Sequence, residues 1–136
     1  MSTTSHLSLG AAGEKIAETW LRKKGYRILD RNWKTRQGEI DLVCKDKKTL
    51  VFVEVKTRRQ EGMTLPGEAL TKEKQKRLIQ AASAYMSAHK DWKTACRFDF
   101  IGVVIQAGDS FSVEHEQNVI DFSYAVGGGH STWQPW

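Results

Sequence analysis

Between Gly38 and Arg59 the chain reads GEIDLVCKDKKTLVFVEVKTRR, two short apolar runs with acids and a lysine set among them. Ile40, Leu42 and Val43 form the first run, Leu50, Val51, Phe52, Val53 and Val55 the second, and Asp46, Lys47 and Lys48 separate them. This pattern predicts two antiparallel strands, about 37–45 and 49–57, joined by a tight turn. A two-residue loop at Lys47 and Lys48 sets Asp41 opposite Glu54 and Glu39 opposite Lys56. Glu39, Asp41, Glu54 and Lys56 then share one face, and Ile40, Leu42, Val53 and Val55 the other. Directly opposed residues have Cβ atoms only ~4.5–5.5 Å apart. Two carboxylates would therefore stand side by side with an ammonium one pleat away, and their repulsion calls for a compensating positive charge.

Helical spacing dominates on either side of this hairpin. Leu9, Gly13, Ile16, Ala17, Trp20 and Leu21 make one apolar stripe, which predicts a helix capped by Ser8, reaching about Lys24 and stopped by Gly25. Glu14 borders that stripe, whereas Lys15, Glu18 and Arg22 point towards water. Tyr26 to Trp33 reads as a further strand. Residues 58–70, with Gly62, Pro66 and Gly67, read as a loop directly after Lys56, the kind of place where ligands are met. Thr71 is expected to cap a second helix running to about Lys90, with Leu78, Ala81, Ala82, Tyr85 and Ala88 on one face. Its first turns, TKEKQKR, bring free backbone N–H groups and cations together, either as a phosphate site or as a solvated basic face. Arg97–Val104 and Phe111–Glu116 are two more strands, and Asp99, between Phe98 and Phe100, is expected to be a structural hydrogen-bonding acid.

Composition narrows the class. A chain of 136 residues with 40% apolar content suits one domain, here residues 1–126, followed by a Gly-rich tail at 127–136. A net charge of +5 and a pI near 9.3 favour a polyanionic partner. Cys44 and Cys96 have neither CxxC nor zinc spacing, so reduced thiols are expected, and His6, His89, His115 and His130 follow no ligand spacing. The opening segment lacks the charged and apolar regions of a secretion signal, and no stretch approaches the ~18 apolar residues of a membrane helix, so a soluble cytoplasmic protein is expected.

Two carboxylates on adjacent strands, with the backbone carbonyl between Glu54 and Lys56, offer hard oxygen ligands for Mg²⁺ or Mn²⁺, which would remove their repulsion. Lys56 could then orient a water or stabilise charge on a phosphate, and Glu14 could complete the shell directly or through water. Glu54-Val55-Lys56 is the only E-x-K in the chain, whereas the D-x-K triplets Asp46-Lys47-Lys48 and Asp91-Trp92-Lys93 fall in a turn and a loop. What distinguishes the first is its context: Asp41 twelve intervening residues upstream on a paired strand, and Glu14 on the preceding helix.

These residues resemble a known family. GEIDLV at 38–43, VFVEVKTR at 51–58, KQKRL at 74–78 and RFD at 97–99 are similar to the YraN-type UPF0102 bacterial family, a predicted relative of the archaeal Holliday junction resolvases in the PD-(D/E)xK nuclease superfamily. Gly10-Ala11-Ala12-Gly13-Glu14 matches the family's glycine-plus-glutamate opening, and the resemblance spans about residues 8–122. Ile40 stands where the superfamily's name has proline, and Met63-Thr64 replaces the aromatic-glycine pair expected before Pro66. The resemblance implies a restriction-endonuclease-like α/β fold, a central mixed sheet of about five strands flanked by helices. It implies Glu14, Asp41, Glu54 and Lys56 as catalytic residues, with Asp41, Glu54 and Glu14 holding Mg²⁺ or Mn²⁺. Arg58, Arg59, Lys74, Gln75, Lys76 and Arg77 are the expected nucleic-acid contacts. The expected function is a Mg²⁺-dependent endonuclease on DNA, branched or otherwise structured DNA included, and analogy with the resolvases suggests a homodimer. A non-catalytic nucleic-acid-binding scaffold and an RNA nuclease are the alternatives.

Overall fold

The computed structural model describes residues 6–60, 71–90 and 94–120. Residues 61–70 of the loop expected over 58–70, the Asp91-Trp92-Lys93 triplet and the tail at 127–136 lie outside the described residues. Helix α1 (His6–Lys23) leads into β1 (Arg27–Lys34), β2 (Glu39–Asp46) and β3 (Thr49–Arg59); α2 (Lys72–Ala88), β4 (Cys96–Ile105) and β5 (Phe111–Glu116) follow. The five strands form one sheet in the order β1-β2-β3-β4-β5. β3 and β4 are parallel and every other pair is antiparallel, so the fold is α/β with a mixed sheet flanked by helices, as expected.

Each face of the sheet has its own core. On one, Ala17 and Leu21 of α1 bury Leu42, Cys44, Val51, Val53, Ile101 and Val103. On the other, Leu78, Ala81, Ala82, Tyr85 and Met86 of α2 bury Ile40, Val43, Phe52 and Phe98. Burial of this much aliphatic and aromatic surface, at about 25 cal/mol per Å², is what holds the layers together. α2 starts as read, with the Thr71 hydroxyl accepting from the Lys74 amide at 3.2 Å. Its buried stripe ends on Met86, and Ala88, expected inside, is exposed. α1 begins at His6, so Ser8 stands within the helix rather than at its cap. Glu18, expected to face water, is half-buried because Arg31 of β1 and Arg22 both donate to its carboxylate.

The hairpin register is the predicted one from Asp46↔Thr49 to Leu42↔Val53, and there the ladder stops. Asp41↔Glu54 and Glu39↔Lys56 do not form: the Val55 amide donates instead to Asp41 Oδ2 at 2.8 Å, and Glu39 pairs with Lys34 of β1. Ile40 is also on the opposite face from Leu42, Val53 and Val55. Asn32, left-handed at φ 50°, stands between Arg31 and Trp33, the partners of Leu42 and Ile40, and such a residue breaks the two-residue alternation of a strand. β3 continues to Arg59, beyond the expected end, because its pairing with β4 extends to Arg59↔Ile105.

Asp99 is the structural acid the sequence suggests. Its side chain is fully buried on the α1 face, accepts from Arg97 Nε at 2.9 Å and from the Asn118 amide at 3.0 Å, and lies 2.8 Å from His115 Nε2. Burial alone would raise its pKa, yet the bonds from His115 and Arg97 hold it below the usual carboxylate range. Cys44 and Cys96 are free thiols, and no described helix is long and apolar enough to cross a membrane.

α1 reaches β3 through Gly13: a Cβ there would fall 1.7 Å from Thr57 Oγ1 and 2.7 Å from Thr57 Cγ2. Gly13→Ala should therefore lower stability by about 1–3 kcal/mol, the usual cost of overpacking. Thr57→Ala, which deletes Oγ1 and Cγ2 but keeps the Cβ that would also lie at 2.7 Å, should recover part of the loss in the double variant. Thermal unfolding of the four proteins checks this, and an unchanged midpoint for Gly13→Ala would show that the helix does not sit this close.

Candidate active site

The acid pair lies where β2 and β3 part. Asp41 is 8% exposed, and its carboxylate rests against the amide that directly follows Glu54. Glu54 is half-buried between Val53 and Val55, which pack towards α1, so strand alternation turns it to the α2 face with Phe52. Asp41 and Glu54 line a cleft of about 260 Å³ with Gly38, Glu39, Lys74, Arg77 and Leu78.

The electrostatics follow from burial. Desolvation pushes the Asp41 carboxyl up to about 6; the Val55 hydrogen bond opposes this, while the charges of Glu14 and Glu39 add to it. Desolvation pushes Glu54 up to about 7, reinforced by the Asp41 charge and opposed by Lys74 and Lys56. Among the described residues neither carboxylate is in an ion pair. Among the described residues, the compensation the pairing requires comes only from cations at a distance.

Lys56 is exposed on β3, two residues beyond Glu54 and on the same strand face. Glu14 is half-buried on α1, next to the Gly13–Thr57 contact, and close enough for its charge to act on Asp41. Among the described residues no three His, Cys, Asp or Glu side chains form a group that could hold a metal ion. Asp41 and Glu54, with Glu39 also lining the cleft, are hard oxygen donors of the kind that fit Mg²⁺ or Mn²⁺, with water and phosphate filling the rest of the shell.

Of the expected nucleic-acid contacts, Lys74 and Arg77 line the cleft. Gln75 is half-buried and Lys76 exposed on the same first turns of α2, but neither lines it. Arg58 follows Lys56 on the same face of β3, whereas Arg59, paired with Ile105, falls on the α1 face. The sequence predicts the turn over Thr35 to Gln37 between β1 and β2, but assigns it no part in a site. Lys34, Thr35, Arg36, Gln37, Gly38, Glu39 and Arg77 line a second, polar cavity of about 480 Å³ that shares Gly38, Glu39 and Arg77 with the cleft. The available signal was the pair of cations in KTRQG, immediately ahead of GEID.

Among solved structures, the chain is similar to SfsA of Pyrococcus furiosus in complex with Ca²⁺. The TM-score is 0.39 at 15% identity, covering 83% of this chain and 64% of that one. A UPF0102 protein of Lawsonia intracellularis is 44% identical over 128 residues, 94% of this chain and 96% of that protein. One from Nitratidesulfovibrio vulgaris is 44% identical over 127 residues, 93% of this chain and 94% of its own. The model of the uncharacterised protein family UPF0102 matches residues 13–103, from the glycine that seats α1 on the sheet to the far half of β4, and the chain belongs to that family.

Proposed function

We propose that the protein is a metal-dependent phosphodiesterase that cuts DNA, a cytoplasmic endonuclease with Asp41, Glu54 and Lys56 at its centre. The observation that carries this reading is the buried carboxylate pair at the open end of the β2–β3 ladder, without an ion-pair partner among the described residues and with a lysine two residues on. Buried acids left in this state are costly to stability, and such sites are where function concentrates.

Asp41 and Glu54 would hold the cation, with the Val55 carbonyl as a further oxygen and Glu14 acting through its charge or through water. A divalent ion bound there neutralises the pair, polarises a phosphate and lowers the pKa of water. Lys56 Nζ donates to a non-bridging phosphate oxygen or to the attacking water, which places positive charge where negative charge develops. Lys74 and Arg77, at the rim of the cleft, receive the neighbouring phosphates.

Lys56→Ala should then lower cleavage by about 10²-fold or more while leaving metal binding intact, because proton management and charge stabilisation are separate from holding the ion. The assay is incubation of parent and variant with labelled single-stranded, duplex, flapped and four-way-junction DNA, and with RNA, in Mg²⁺ and in Mn²⁺. Equal cleavage by both proteins would mean a contaminant. Binding without cleavage of any substrate would replace the enzyme with a non-catalytic module, and cleavage of RNA alone would change the substrate.

The acid pair also predicts a pH signature. Both folded-state pKa values lie above the unfolded range near 4, so the native state holds more protons than the unfolded state between about pH 4 and 7. Stability of the metal-free protein should therefore fall as pH rises through this window. Glu54→Gln should flatten the fall and be more stable than the parent at pH 8, by on the order of 1–3 kcal/mol. Mn²⁺ at pH 8 should raise the melting temperature of the parent, and Asp41→Asn, which keeps an acceptor for the Val55 amide, should lose that rise. Parallel pH profiles for parent and Glu54→Gln would remove the buried-acid argument.

A further inference from the structure

The turn between β1 and β2 is held in one shape by its own hydrogen bonds. Thr35 Oγ1 accepts from the Gln37 amide at 3.0 Å and from the Gly38 amide at 3.1 Å, and it donates to the Gly38 carbonyl at 3.1 Å. The Thr35 amide closes the turn on the same carbonyl at 2.8 Å. The turn is also pressed against α2, since a Cβ at Gly38 would stand 3.3 Å from the Arg77 carbonyl oxygen and 3.4 Å from Arg77 Cβ. Lys34 and Arg36, both exposed, thus reach the same cavity as Arg77 from a braced support.

We infer that this cavity is a second binding site, a seat for the sugar-phosphate backbone of duplex nucleic acid on the side of the acid cleft away from Lys56 and Arg58. The inference rests on the nucleic-acid reading above and extends it. Lys34, Arg36 and Arg77 give the lining three cations, enough for about two or three phosphates of a strand. The cavity shares Gly38, Glu39 and Arg77 with the cleft, so a strand lying in it leads directly to Asp41 and Glu54. Glu39, the one acid lining the cavity, stands opposite Lys34 in the β1–β2 ladder, which offsets its repulsion of phosphate.

The lining also selects the form of the ligand. Among the described residues it contains no aromatic side chain, and splayed single-stranded bases need such platforms to stack on. Trp33, the nearest aromatic in sequence, is committed to the α2-side core, edge-on to Tyr85. What remains is charge and hydrogen bonding to a backbone, which holds a stacked duplex in place without reading its bases. Thr35 acts as a positioning residue here, because it fixes the turn that carries Arg36.

The test measures affinity for a short labelled duplex, and for a single strand of the same sequence, across a salt series in Mg²⁺-free buffer. Lys34→Ala/Arg36→Ala should weaken duplex binding and make the log-log salt slope shallower by about 2, one per lost phosphate contact. Thr35→Val, which removes no charge, should also weaken binding. The Mn²⁺-induced rise in melting temperature should persist in both variants, since neither touches the acid pair, and that rise also reports that they are folded. Parent-like affinity and slope in the double variant would overturn the site even if the protein cuts DNA. Loss of binding in a protein that cuts nothing would keep the site and discard the nuclease. A single strand bound more tightly than duplex would overturn the duplex assignment, and a parent that binds neither would overturn the whole inference.

Discussion

The site depends on one substitution of partners: where the next ladder bond between β2 and β3 would form, the Val55 amide is taken by the Asp41 carboxylate. Had the strands remained zipped, the amide would have been satisfied by backbone and the acids would have faced each other across a continuous sheet. β3 can leave β2 without losing its shape because β4 pairs with it along the whole stretch from Leu50 to Arg59. The opening thus exposes few orphaned backbone groups, which would otherwise be expensive. It is bounded by Gly13 of α1 against Thr57 on one side and by the first turns of α2 on the other.

Two buried aspartates in the same sheet show what this arrangement means. Asp99 meets Arg97, His115 and the Asn118 amide, and its carboxyl is held below its ordinary range. Among the described residues Asp41 accepts from one backbone amide, has acids around it, and is pushed up. The first is a completed network, whose members fix one another and tie β4, β5 and the following segment together. The second, among the same residues, is incomplete, and an incomplete buried network is a standing cost that a bound cation would offset. That contrast argues for assigning structure to Asp99 and chemistry to Asp41 without appeal to their position in any motif.

Much of this was legible in the chain. The alternation around Lys47 and Lys48 gave the hairpin and its register from Leu42 to Val53, and the helical stripe of Leu78, Ala81, Ala82 and Tyr85 gave the buried face of α2. The acids were found through their improbability on apolar strands. What failed was everything set by non-local partners. Period-2 patterning cannot register the parallel strand β4 that lets β3 run on alone, nor the break in alternation that puts Ile40 on the other face, opposite Trp33 and beside the left-handed Asn32. Glu39 was assigned to Lys56 because the hairpin was extrapolated, whereas its partner is Lys34 on the preceding strand. The turn at Thr35 to Gln37 is legible, but its cavity is not, for the same reason: Lys34 and Arg36 gain meaning only once Gly38 is seen against Arg77.

The placement of charge then has a physical logic that neither sign could satisfy alone. A cleft lined by Asp41, Glu54 and Glu39, with Glu14 acting on it, repels phosphate, while its rim of Lys74 and Arg77 and the adjoining Lys34 and Arg36 attract it. On the proposed function, a polyanion drawn to the rim would be held from the centre until the acids are neutralised. Protons would do this only up to the pKa values near 6 and 7, so above neutrality the task would fall to a cation. Raised carboxyl pKa values and a basic rim would then act together: the rim would supply affinity independent of the occupant of the cleft, and the cleft would make phosphate contact conditional on a cation.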